Sequence, residues 1–236
     1  MTAAPDSLFV LPEIQAMLRE ELSLLPAHAA RQPAGRALLL QPHAATRTLP
    51  ADTRHLMATR LHADGEALGG DIVCQADALP LEDESFQLVF AQHIGDALPA
   101  DSGIVEELAR VMAPGSLLLW SGFNPWSPWL AWMHWRARGG APQTLNVDTL
   151  RRRLQRFQLA TVALDYLGTC WPHRAAEETG DRHARRIALL APLRGTYILA
   201  ARKHRAVLTP LRPRVARNNV ALGSRLAGTP SQRACA

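Results

Sequence analysis

Two periodicities alternate along the chain. Between Pro12 and Leu25 the apolar residues Ile14, Met17, Leu18, Leu22 and Leu25 recur at helical spacing, and Pro12 suits a first helical turn, where its missing N–H costs nothing. A loop, PAHAARQPAG, follows. Residues 36–43, RALLLQPH, form a continuous apolar run stopped by Pro42, the pattern of a buried strand. Residues 54–62 predict a second strand of poorer periodicity, and Gly69-Gly70 a turn. Residues 71–77 (DIVCQAD) and 86–93 (FQLVFAQH) predict two more strands. In GIVEELARVM, Ile104, Val105, Leu108, Val111 and Met112 share one helical face, led by Asp101-Ser102 and ended by Pro114-Gly115. Residues 116–123 (SLLLWSGF) read as a strand. Residues 147–158 read as a helix with Val147, Leu150, Leu154 and Phe157 inward, arginines outward, and Asp148 near the positive end of its dipole. Residues 159–168 and 195–203 complete seven predicted strands, and the polar stretch 172–186 reads as a surface loop.

Strands alternating with helices predict an α/β fold, a doubly wound and mainly parallel seven-stranded sheet covered on both faces. Ligands on such sheets sit beyond the carboxyl ends of the strands. The positions to inspect are therefore 41–45, 77–80, 92–96 and 122–126. The expected organisation is an N-terminal helical extension (1–34), the sheet domain (35–203) and a basic tail (204–236). Pro210, Pro213, Gly223, Gly228 and Pro230 break every period in that tail, which predicts disorder.

Composition adds limits. The charge is uneven: residues 1–200 carry 18 arginines against 21 acids, whereas residues 201–236 carry eight cations and no acid. The three cysteines form no CxxC pair, no apolar run approaches the ~20 residues of a membrane span, and the start lacks a secretory pattern. A cytoplasmic protein is expected. Among the nine histidines no spacing builds a metal site, and none of the P-loop, GxSxG or HExxH motifs occurs.

QADALPLEDESFQLVFAQH, followed by EELARVMAPGSLLLWSGFNP, resembles class I S-adenosylmethionine-dependent methyltransferases of the type 11 group. The family pattern stands here as Asp77, Ala78, Leu79, Pro80, Leu81, Asp83, Ser85 and Phe86, then Glu107, Arg110, Val111, Pro114 and Gly115. Gln87 and Ser116 depart from it. So does the turn after the first strand, LLLQPHAATR, where the family has a glycine-rich loop and this chain has neither glycine nor acid. The resemblance implies a Rossmann-like methyltransferase fold, S-adenosylmethionine as cofactor and a small-molecule substrate. It implies that Asp77 accepts the adenine amine and that Ala78 and Leu79 wall the ring. Gln41 and Gln92 end the flanking strands and are candidate cofactor contacts. His93 is a candidate proton acceptor or a plain polar strand end.

Trp126, Trp129, Trp132 and Trp135 recur at every third position. Ser127-Pro128 and Gly139-Gly140 bracket a predicted helix at 128–138. That helix is a cover packed on the domain, a hydrophobic substrate wall with Asn124, Trp126 and Trp129 as contacts, or a patch for a peripheral membrane or partner contact. Two alternatives to an enzyme also stand. One is a non-catalytic methyltransferase-fold binding module, and the other, less favoured, is a nucleic-acid binder using the basic tail.

Overall fold

The computed structural model describes residues 8–46, 55–137, 144–171 and 188–204. The loop at 172–186, the glycine pair at 139–140 and nearly all of the tail lie outside the described residues. The eight strands among the described residues are β1 (Gly35–Gln41), β2 (Leu56–Asp64), β3 (Ala67–Gly70), β4 (Cys74–Gln75), β5 (Phe86–Gln92), β6 (Met112–Phe123), β7 (Leu159–Leu167) and β8 (Thr196–Lys203). They form one sheet in the order β4-β3-β2-β1-β5-β6-β8-β7. β2, β1, β5 and β6 are parallel neighbours. β3 and β4 extend one edge antiparallel, and β8 runs antiparallel between β6 and β7. The helices are α1 (Pro12–Leu22), α2 (Leu25–Ala29), α3 (Ile94–Ala97), α4 (Ile104–Val111), α5 (Pro128–Ala137) and α6 (Val147–Arg156).

β1 and β5 are central and buried on both faces, which is why their sequences are unbroken apolar runs rather than alternating ones. Leu38, Leu40, Val89 and Ala91 point to the face covered by α4 and α6, where Leu108, Leu150 and Leu154 join them. Ala37, Leu39, Leu88 and Phe90 point to the other face, against Leu22 of α1 and Leu25 and Ala29 of α2. A third apolar cluster unites Phe9, Ile14, Met17 and Leu18 with Phe123 and with Trp129 and Met133 of α5. The N-terminal helix and the tryptophan helix therefore share one small core of their own.

Three local expectations are corrected. Residues 71–77 do not make a full strand. The chain instead turns back at Gly65, whose φ is +66°, and β3 pairs with β2 as a hairpin. Gly70, read as part of a turn, lies inside that hairpin at φ +131°, where a Cβ would come within 2.4 Å of the Arg60 carbonyl. Second, Gly103 (φ +68°) rather than Asp101-Ser102 caps α4. Third, Pro114-Gly115 does not separate α4 from a strand. β6 begins at Met112, immediately after α4, and the proline and glycine fall where its register against β5 shifts, a site that tolerates a residue without an N–H.

Candidate functional site

The parallel strands end together at Gln41, Gln92 and Phe123, with β1 and β5 flanking the point where the chain order of the sheet reverses. A crevice for ligands opens at such a point in doubly wound sheets. At this edge α1 is bonded to the ends of β5 and β6 through Leu18 and Glu21. His93 leaves β5 in the left-handed conformation, φ 48°, and its ring is fully buried. The ring lies 4.2 Å from the Phe123 ring, centroid to centroid, and edge-on to Phe9 at 6.2 Å. Its Nδ1 is 2.8 Å from Asp96 Oδ2 and its Nε2 is 3.0 Å from Glu21 Oε1. Burial works against a charged imidazole, but Glu21 and Asp96 together outweigh it and hold the His93 pKa up at about 10. The ring is therefore an imidazolium that donates to both carboxylates. Burial pushes the Asp96 carboxyl up, against the opposite pull of His93 and of the Phe123 amide, which donates to Asp96 Oδ2 at 2.9 Å.

Glu21 is the hub. Its Oε2 accepts from Ser121 Oγ at 2.9 Å and from Gln92 Nε2 at 3.1 Å. Gln92 Nε2 also donates to the Leu18 carbonyl of α1 at 2.8 Å. Gln92 Oε1 is buried with no partner. Across the crevice, Gln41 is buried and folds back to donate to the Thr46 carbonyl at 2.6 Å. In the same turn the Ala45 amide donates to His43 Nδ1 and the Thr46 amide to the His43 carbonyl. Pro42 has no amide hydrogen to offer. Thr46 Oγ1 is buried and unpartnered.

Asp77 and Ala78 form a separate group. Both are exposed, on a turn beside the start of α4. The glycine at 103 allows this approach, since a Cβ there would lie 2.9 Å from Asp77 Cβ. Leu79 is buried, its amide held by Glu107 Oε2 at 2.9 Å and its carbonyl by Arg110 Nη2 at 2.8 Å. Arg110 also bonds the Leu81 carbonyl and the Glu107 and Asp83 carboxylates. Its hydrogen bonds keep the Glu107 pKa below the usual carboxylate range. The family-like residues Glu107 and Arg110 thus brace the loop that carries Asp77. Among the described residues no hydrogen bond joins this group to Gln92 or His93.

The remaining candidates are occupied or outward. Asn124 Nδ2 donates to the Pro192 and Arg194 carbonyls, and its Oδ1 accepts from the Trp126 amide. Trp129 is fully buried and its indole N–H donates to the Thr169 carbonyl at 2.8 Å. Trp126 is 76% exposed. A shallow groove is lined by Gly95, Ser102, Gly103, Trp120, Leu145 and Arg153, and its Gly103 abuts Asp77. The sequence reading missed Glu21 and Asp96. Glu21 carried a signal: it stands seven residues after Ile14, four after Met17 and three after Leu18, an acid on the apolar stripe of α1. Asp96, three residues after His93, carried a weaker one.

Residues 34–120 match the family model described as a methyltransferase domain. A protein from Bacillus halodurans C-125, described as a methyltransferase, shares 15% identity over 78% of this chain and 99% of its own, with a TM-score of 0.51. A chain from the Haloferax volcanii complex of the Trm112 methyltransferase activator with a methyltransferase shares 16% identity over 86% of this chain and 98% of its own, with a TM-score of 0.49. No curated protein matches the sequence. No helix among the described residues is long and apolar enough to cross a membrane. The sheet order and the matched segment agree on the α/β fold of methyltransferase domains, and residues 34–120 are similar to that family's model.

Proposed function

We propose that the chain is a methyltransferase that uses S-adenosylmethionine and acts on a small molecule. The observation that carries this reading is the Asp77 loop. Its carboxylate is exposed, Ala78 beside it is exposed, and Leu79 is fixed from both sides by Glu107 and Arg110. Those residues fit the adenosyl end of the cofactor, with Asp77 accepting the adenine amine and Ala78 and Leu79 beside the ring. Gln92 Oε1 and Thr46 Oγ1, buried and unpartnered near the ends of β5 and β1, leave the crevice with unmet polar capacity.

The methionine end does not fit. The turn after β1 spends two of its amides on His43, lacks one at Pro42 and folds Gln41 inward, so among the described residues it forms no glycine-like cradle for a carboxylate. When bound, S-adenosylmethionine supplies a methyl group made electrophilic by its sulfonium. What this chain's residues supply is orientation, the larger part of such catalysis. His93 has both ring nitrogens engaged with carboxylates, so we read it as a positioning residue rather than a proton acceptor. Phe9, Phe123, Trp129 and Met133 are fully buried against one another and form a structural core rather than an acceptor wall.

A second reading, a non-catalytic binding module on an inherited fold, is favoured by the closed β1 turn. Thermal melting with added S-adenosylmethionine separates the two. Ligand at 100 times its dissociation constant adds ~2.7 kcal/mol, which for a chain of this size raises Tm by roughly 5–10 °C. Asp77→Ala should remove most of that rise. No shift at millimolar cofactor favours the binding module, and an undiminished shift in Asp77→Ala moves the site elsewhere.

A further inference from the structure

We infer that the exposed tryptophans beside the carboxyl end of β6 form a docking surface for an anionic lipid bilayer. The sheet register brings together the three segments that carry it. β6 ends at Phe123 and β7 at Leu167, and both residues stand opposite Thr196, the first residue of β8. Trp126 follows the end of β6, Trp171 follows the end of β7, and Leu193 precedes β8. Asn124 ties the first to the third. Its side chain accepts from the Trp126 amide and donates to the carbonyls of Pro192 and Arg194, on either side of Leu193. The second segment joins through Thr169, whose carbonyl accepts from the Gly195 amide and whose hydroxyl donates to the Trp171 carbonyl. Trp126 and Trp171 are 76% and 56% exposed, and Leu193 is exposed beside them. Trp135 is exposed on α5, a helix anchored here by the bond from the Trp129 indole to the same Thr169 carbonyl.

Apolar side chains scattered singly over a surface are ordinary, but several large ones gathered at one edge mark an interaction site. The chemistry of indole narrows the partner. Its rings are apolar and its N–H is polar, so it settles at the level of lipid headgroups. The surrounding charge fixes the sign. Among the described residues of the three segments, 124–137, 168–171 and 188–195, there is no acid, and Arg136 and Arg194 supply the charge. Along the chain no acid occurs from 108 to 147 or after Asp181, and residues 182–236 hold 11 arginines and Lys203. The nearest acids in sequence to the patch are Asp165, Glu177, Glu178 and Asp181. Cations beside an anionic bilayer add an attraction that salt screens. A second copy of this chain would instead bring like charges together. Docking does not depend on which reaction the domain performs, so binding rather than turnover tests it.

Flotation of the full-length protein with lipid vesicles is the experiment. The protein should float with vesicles of equal parts phosphatidylcholine and phosphatidylglycerol, and weakly or not at all with phosphatidylcholine alone. Trp126→Ala combined with Trp171→Ala should weaken binding to the mixed vesicles by about tenfold or more, because apolar area that enters the interface is lost while the charges stay. Trp135→Ala alone should weaken it by less. Val162→Ala, at an exposed apolar site toward the opposite end of β7, should leave it unchanged. All of these side chains lie outside the core, so each variant should melt with the wild type. Trp135→Ala keeps the test open should the double variant melt early. Absence of flotation with the mixed vesicles overturns the proposal, whether or not duplex DNA retains the protein instead. Equal flotation with neutral vesicles overturns the anionic partner. Undiminished flotation of indole variants that melt like the wild type overturns the patch as the docking surface.

Discussion

Trp129 and Trp135 lie on the same helix, six residues apart, and the structure assigns them opposite fates. Trp129 is 0% exposed, packed with Met17, Phe123 and Met133, and its indole N–H is spent on the Thr169 carbonyl. Trp135 is 73% exposed. Trp129→Ala removes a fully buried indole and opens a cavity at the junction of α1, β6 and α5, which costs about 3–5 kcal/mol. At 2–4 °C per kcal/mol for a chain of this size, Tm should fall by roughly 6–20 °C. Trp135→Ala touches no core and should stay within about 0.5 kcal/mol of the wild type. Far-ultraviolet circular dichroism is the right probe, because fluorescence would change with the removal of either indole. A Trp135 variant as damaged as the Trp129 variant would refute the packing described for α5. A Trp129 variant that melts like the wild type would refute the claim that this helix is a structural cover.

The pH dependence of stability should carry the mark of His93. Its pKa is raised from 6.5 unfolded to about 10 folded, so its contribution is fully present below about pH 6.5 and declines by about 1.4 kcal/mol per pH unit until it is lost above about pH 10. Urea titrations at pH 7, 8 and 9 should show that slope in the wild type and a flatter one in His93→Gln. Gly103→Ala should destabilise by about 1–2 kcal/mol through its positive φ alone, and more because the new methyl meets Asp77 Cβ. A melting curve unchanged from wild type would contradict this. Arg110→Ala strips donors from the Leu79 and Leu81 carbonyls and should cost about 1–3 kcal/mol. Proteolysis should then find new cleavage sites within residues 79–85, and an intact loop would argue that Arg110 is not its brace.

Much of this molecule was legible without coordinates. Residues 36–41, 86–92 and 116–123 each announce a strand because a strand buried on both faces must be apolar at every position. α4 and α6 announce themselves by a single apolar face. The Asp77 loop and its braces at Glu107 and Arg110 were legible as a family resemblance, and the braces stand 28 and 31 residues from Leu79, whose amide and carbonyl they respectively hold. The β2–β3 hairpin carried a signal that the reading passed over, Asp64-Gly65 after the alternating Leu61-His62-Ala63-Asp64, while the more conspicuous Gly69-Gly70 pair sits inside a strand.

The Glu21 cluster was decided by tertiary structure alone. Glu21 meets Gln92, His93 and Ser121 across separations of 71, 72 and 100 residues. A local pattern shows only that an acid stands on an apolar stripe, and an unpaired acid would not remain there. The sequence determined which faces had to be buried, since hydrophobic period is a local property of the chain. Whether the one charge on such a face would be buried depended on donors arriving from the ends of two other strands, and only the folded arrangement of the sheet brings those ends together.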